Sequence, residues 1–251
     1  MPKLVILGSA NAIPDEKHDN THLALAGQER ALLVDCGSNP LLKLARVGIA
    51  LDRLMDLALT HFHPDHVSGV PMLLMNMWLL GRKKPLMIHG LSHTLDRVEG
   101  LMEFYDWGTW PNFFRVEFNR LPEKEKAPVV ECDEFRVWAS PVRHLVPTIG
   151  LRIEFLQSGK AAAYSCDTEP CDEVMRLAAG ADVLFHEAAG AYPGHSSAIQ
   201  AGKAARQAEV GALYLIHYPV HKGDPQGLLA EARMTFPGQV ALAEDYLTLE
   251  F

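Results

Sequence analysis

Seven consecutive residues, Thr60-His61-Phe62-His63-Pro64-Asp65-His66, constrain this chain more than any other stretch. They place three imidazoles and a carboxylate directly after the apolar run Leu57-Ala58-Leu59. His61 and His63, two apart, can reach one metal ion from an extended or looping backbone, while Asp65 and His66 suit a second ion beside it. A His-rich surface tract is the plain alternative. At the end of a buried strand, however, so many polar groups are costly to bury without partners, and that placement points to a metal site carried on a strand end.

The chain has 251 residues, 48% of them hydrophobic, enough for a full core. Length alone allows one domain or two, but the candidate ligands run from His61 to His217, so a single domain over residues 1–251 is expected. The formal charge is −8, whereas a protein that grips nucleic acid by neutralising phosphates usually shows a basic face. The one concentrated basic run, Arg82-Lys83-Lys84, reads as a solvated helix end. Four cysteines (Cys36, Cys132, Cys166, Cys171) show no C-x-x-C spacing and read as free thiols of a reducing compartment. The apolar start Leu4-Val5-Ile6-Leu7 is too short for a leader and reads as a strand. Val70–Leu80 is too short to span a bilayer. A cytoplasmic protein with no membrane partner is expected.

Along the chain, 23–26 and 31–34 flank Gly27-Gln28-Glu29-Arg30 as a hairpin. An amphipathic helix follows at 40–47, then the strand 54–60 that delivers the histidines. Residues 70–80 have helical period and are nearly apolar all round, predicting a packed core helix with Met72, Met75 and Met77 as filler. The dense aromatic segment 104–114 reads as a pocket wall, a dimer contact or a satellite cluster under a loop. In the second half, strands are expected near 135–139, 149–155, 161–164, 183–185, 212–216 and 240–249, with helices near 171–179, 197–208 and 227–234. Two sheet-and-helix halves with helices outside give an α/β, four-layer αβ/βα sandwich.

The pattern H-x-H-x-D-H after a strand resembles the metallo-β-lactamase superfamily, which uses it to hold one or two metals, usually zinc. That family adds a distant His, a bridging Asp and a last His, each at a later strand end. The matching residues here are His144 after Pro141-Val142-Arg143, Asp167 in Tyr164-Ser165-Cys166-Asp167-Thr168, and His217 after Tyr214-Leu215-Ile216. The segments His186-Glu187-Ala188 and Gly194-His195-Ser196-Ser197 look like the H-E-A-T and H-S-T segments of the ribonuclease Z-like branch, as do Gly8–Pro14 and the stretch from Gly69-Val70-Pro71 to Gly81.

The resemblance implies two divalent ions, most readily zinc, with manganese or iron as alternatives. His61, His63 and His144 would hold one, and Asp65, His66 and His217 the other, with Asp167 between them. It implies a hydroxide shared by the ions as nucleophile, with Asp65 beside it and His195, oriented by Glu187, as the proton donor. Asp35, in Asp35-Cys36-Gly37, would support a ligand from behind. Ribonuclease Z enzymes usually carry a long arm that grips tRNA. Here 22 residues separate His144 from Asp167, and a strand and a turn already fill them. Ala189 also stands where the branch usually has Thr. The resemblance therefore implies an armless hydrolase of small phosphodiesters. The alternatives are a tRNA 3′-processing endonuclease, and a sulfatase or lactonase on the same metal cradle. Homodimerisation is usual in that branch.

Overall fold

The computed structural model describes residues 1–251, apart from the side chain of residue 222. The first sheet uses β1 (Lys3–Gly8), β2 (His22–Ala26), β3 (Ala31–Val34), β4 (Leu54–Ala58), β5 (Leu86–Leu91) and β6 (Val116–Leu121). The second uses β7 (Ala127–Glu131), β8 (Phe135–Val142), β9 (Thr148–Phe155), β10 (Ala161–Tyr164), β11 (Val183–Glu187), β12 (Ala212–Ile216) and β13 (Gln239–Leu242). The last strand, β14 (Thr248–Glu250), returns to the first sheet and pairs antiparallel with β1. The helices are α1 (Leu41–Arg46), α2 (Pro64–Val67), α3 (Val70–Leu79), α4 (Ser92–Glu103), α5 (Asp172–Ala178), α6 (Ala198–Gln207) and α7 (Gly227–Arg233).

The strand orders are β14-β1-β2-β3-β4-β5-β6 and β13-β12-β11-β10-β9-β8-β7. Each sheet joins antiparallel strands to parallel ones, the change falling at β3 in one and β10 in the other. Alternating side chains of both sheets, among them Leu4, Leu23, Leu32, Phe135, Leu151, Ile153, Tyr164 and Phe185, meet in one inner core. The outer face of the first sheet is covered by α1, α3 and α4 through Leu44, Leu73, Met77 and Leu95. α5, α6 and α7 cover the second through Ala178, Ala201, Ala205 and Ala232. This is the expected four-layer sandwich. Strands buried on both faces, such as Leu32-Leu33-Val34, read as unbroken apolar runs because both helices and the opposite sheet cover them.

Several expectations change. β6 and β7 are additional strands on either side of the charged turn 122–126, where the chain crosses between sheets. The closing segment, open to one strand or more from the sequence, is two strands in different sheets. α3 buries Leu73, Leu74 and Met77, but Met72 is 47% exposed and Met75 37%, so those two are not core filler. Arg82 is no solvated helix end either: its guanidinium is buried and donates to the carbonyls of Leu51, Leu54 and Pro85. It ties the turn after α3 to the start of β4. The aromatic segment forms a satellite cluster on the first sheet's outer core. Trp110 stacks on Trp78 at 4.9 Å, and Trp107 meets Phe113 and Phe118.

Candidate metal centre

β4 ends at Ala58, and the chain then turns across the top of the sandwich. The loop is held by its neighbour: the Cys36 amide donates to the His66 carbonyl (2.7 Å) and the Gly69 amide to the Cys36 carbonyl (2.7 Å). A side chain at Gly37 would strike the Asp65 carbonyl, so only glycine allows this approach. The Ile149 amide donates to the Thr60 carbonyl (3.1 Å), linking the two sheets directly under the site. His217 and Cys166, beside Asp167, both take left-handed backbone, with φ of 54° and 55°. These positions redirect side chains from the strand axis into the site, a strain of the kind that clusters at functional centres.

Three imidazoles converge first. His63 Nδ1 lies 3.0 Å from His61 Nε2 and 3.2 Å from His144 Nε2. Beside them, His66 Nε2 is 3.5 Å from both Asp65 Oδ2 and Asp167 Oδ2. His217 Nε2 lies 3.2 Å from Asp167 Oδ2 and 4.0 Å from Asp65 Oδ2. Asp167 Oδ2 is also 3.9 Å from His61 Nε2, so it faces both groups. All seven residues expected as ligands are thus brought together as two groups able to hold metal ions.

The donor set fits metal on two observations. His66 Nε2 and Asp167 Oδ1 are buried without a hydrogen-bond partner, a costly state unless a cation faces them. The far nitrogens of four rings are occupied: His66 Nδ1 by Asp35 (2.8 Å), His61 Nδ1 by Thr60 Oγ1 (3.1 Å), His144 Nδ1 by the Gly194 carbonyl (2.6 Å), and His217 Nδ1 by Thr21 Oγ1 (3.1 Å). Such outer bonds fix the ring and leave the inner nitrogen for metal. Asp35 therefore supports His66, as expected. Thr21, Thr60 and the Gly194 carbonyl carried no signal in the sequence.

The electrostatics follow from burial and neighbours. Burial holds His61, His63, His144 and His217 below the ordinary imidazole range, His217 at about 4. The lowered values favour neutral imidazole, the form that binds metal. Burial opposes charge on His66 too, but the Asp167 and Asp35 carboxylates outweigh it and raise its pKa. Burial likewise opposes ionisation of Asp167, yet His217 and His66 hold it well below the usual carboxylate range.

His195 stands beside the cluster, its ring 5.0 Å from His144 and 5.9 Å from His217. Its Nδ1 is 3.1 Å from Glu187 Oε1, which also accepts the Ser196 and Thr168 amides; Oε2 accepts the Ala189 amide. Burial raises the Glu187 pKa against these bonds. Burial lowers that of His195, but the Glu187 bond and charge outweigh it and leave it raised. The loop enters α6 through a capping box, Ser197 and Gln200 bonding each other's backbone amides. His186 turns to the opposite face, buried, with Nδ1 on the Glu187 carbonyl (2.8 Å).

Sandwich and site together define a metal-dependent hydrolase of the metallo-β-lactamase fold, ribonuclease Z-like. The family model described as anti-Pycsar protein Apyc1 matches residues 2–240, and the chain belongs to that family. Ribonuclease Z of Mycobacterium sp. (strain KMS) is 30% identical over 283 residues, covering 100% of this chain and 96% of the relative. That of Methanothermobacter thermautotrophicus is 28% identical over 305, covering 100% and 97%. Among solved structures, the metallo-β-lactamase fold protein YhfI from Bacillus subtilis aligns with a TM-score of 0.84 and 22% identity, covering 100% and 99%. The short form of human tRNase Z gives 0.77 and 22%, covering 99% and 98%, and unliganded yeast PDE1 gives 0.73 and 16%, covering 100% and 99%. Hydrolases of this fold bind divalent metal ions, typically two. No helix among the described residues is long and apolar enough to cross a membrane.

Proposed function

We propose that this chain, acting as one domain over residues 1–251, hydrolyses small phosphodiesters. The observation that carries the reading is the hydrogen bond between His195 and Glu187 beside the histidine–carboxylate cluster. Between His144 and Asp167 the chain makes only the β9–β10 hairpin. Alignment with the archaeal ribonuclease Z runs over 305 positions against 251 residues here, so that relative carries segments this chain lacks. The name PDE1 of the yeast neighbour is in keeping with this reading.

In this reading His61, His63 and His144 would hold one divalent ion and Asp65, His66 and His217 the other, with Asp167 facing both groups. Imidazole and carboxylate donors without thiolate suit zinc, and manganese or iron can also take them. Ions bound there would supply an activated water and polarise a phosphoryl oxygen. Asp65, 13% exposed, orients the attacking water through its carboxylate. His195, protonated because Glu187 faces its Nδ1, gives the Nε2 proton to the leaving oxygen. Glu187 fixes the ring so that Nε2 points toward the cluster. The four free cysteines accord with a reducing cytoplasm, and a homodimer is the proposed assembly.

The relatives named ribonuclease Z favour a second reading, tRNA 3′-end cleavage. One zinc- or manganese-loaded preparation separates the two by kcat/KM for bis(p-nitrophenyl) phosphate and for a 3′-extended precursor tRNA. Turnover of the diester alone supports the proposal. Specific tRNA cleavage replaces it with the second reading, and silence on both turns attention to sulfate esters and lactones.

A further inference from the structure

The loop between β11 and α6 contains a feature that neither metal binding nor proton transfer uses. Tyr192 is 44% exposed, although its ring is tightly placed. Its hydroxyl donates to the Ala189 carbonyl (3.1 Å), its amide to the Gly190 carbonyl (3.0 Å), and its own carbonyl accepts the His195 amide (3.0 Å). Gly190, at φ 138°, has no side chain to obstruct the ring; a Cβ there would lie 2.5 Å from the ring edge. The ring centroid is 5.0 Å from that of His195, tilted by 57°. Next to Gly194, Leu145 is 63% exposed. A Cβ on Gly194, at φ 84°, would strike both Leu145 and the His144 ring. Gly190 thus seats the Tyr192 ring beside His195, and Gly194 leaves room for Leu145 next to His144.

An exposed aromatic ring that is held rigid and next to a proton donor is prepared for a partner, because ordering it costs nothing further on binding. We infer that the exposed ring of Tyr192 stacks a flat aromatic group of the substrate on the His195 side of the site. Tyr192 is a substrate-positioning residue in this scheme: it offers a ring face to a planar group attached to the phosphate and moves no proton. The inference rests on the phosphodiesterase reading and narrows it to esters carrying an aromatic ring.

Binding tests it without turnover. On the zinc-loaded protein, calorimetry compares phenyl phosphate with methyl phosphate, which share the charged group and differ in the ring. Stacking on an aromatic face makes phenyl phosphate about tenfold tighter in the wild type. Tyr192→Leu removes most of that preference and leaves methyl phosphate unchanged, whereas Tyr192→Phe recovers it to within about threefold. Gly190→Ala, which displaces the ring without altering it, weakens phenyl phosphate selectively as well. An unchanged ratio in Tyr192→Leu, or equal weakening of both ligands, overturns the stacking role of Tyr192. A protein that prefers phenyl phosphate through Tyr192 yet leaves bis(p-nitrophenyl) phosphate intact upholds the stacking role and overturns the diesterase reading. Diester turnover with no preference for the ring does the reverse.

Discussion

The two halves of the sandwich share a sheet plan but contribute to the site in different ways. The first sheet offers one loop, His61 to His66, in which the candidate ligands are sequence neighbours and a packed turn from Asp35 to Ser38 holds them. The second sheet offers single residues from separate places: His144 after β8, Asp167 after β10, Glu187 at the end of β11, His195 beyond it and His217 after β12. A contiguous loop can grip ions with little long-range organisation. Shared coordination and proton transfer require several strand ends to be in register. The difference suggests a division of work, with metal capture concentrated in the first half and chemistry distributed over the second.

Asp167→Ala would break that division most severely. Its Oδ2 lies within 3.9 Å of His61, His66 and His217, so capture by the first half should fail without a second-half residue. We expect diester turnover to drop by on the order of 10³-fold, with metal content below two ions per chain by elemental analysis. His195→Ala sharpens the comparison from the other side. It should keep its full metal content while kcat falls roughly 10²–10⁴-fold, and metal loss in step with activity would make His195 structural or a ligand. Asp35→Asn tests the first half alone, since it weakens the outer bond on His66. Metal affinity, read by chelator competition, should fall about 10–100-fold.

The smallest effect concerns pH. Glu187 raises the His195 pKa, so the protonated acid persists to higher pH and activity is lost as pH rises through that value. Glu187→Gln removes the negative neighbour, which lowers the His195 pKa. The alkaline limb of the kcat profile should therefore move to lower pH, with metal content unchanged. A limb that stays in place assigns it to another group.

The loop His61–His66 could be read from the chain because ligand chemistry and a preceding apolar strand are adjacent in sequence. Asp167, His195 and His217 were legible only through resemblance, since one polar residue at a strand end has no local signature. β6 and β7 escaped because they are edge strands: Val116–Leu121 is mostly half-buried with Glu117, Asn119 and Arg120 interspersed, and β7 contains Pro128. Neither shows the continuous apolar run of a central strand. Met72 and Met75 were misjudged because an all-apolar helix gives no polar face to mark its solvent side. Arg82 shows the converse, a charge buried because backbone carbonyls surround it. The supports Thr21, Thr60 and the Gly194 carbonyl come from contacts across the fold, which no local pattern records.

The pairing of β14 with β1, Lys3 opposite Glu250 and the Phe251 amide on the Pro2 carbonyl, makes the chain path nearly a closed circuit. The crossing between the sheets at Pro122–Lys126 then becomes an equivalent place to begin. A circular permutant joined through a short linker from residue 251 to residue 1 and opened at Lys124 keeps every strand pair of both sheets. In it, the half that carries Asp167, His195 and His217 is translated before the half that carries His61–His66, so the order of synthesis is inverted while the site is conserved.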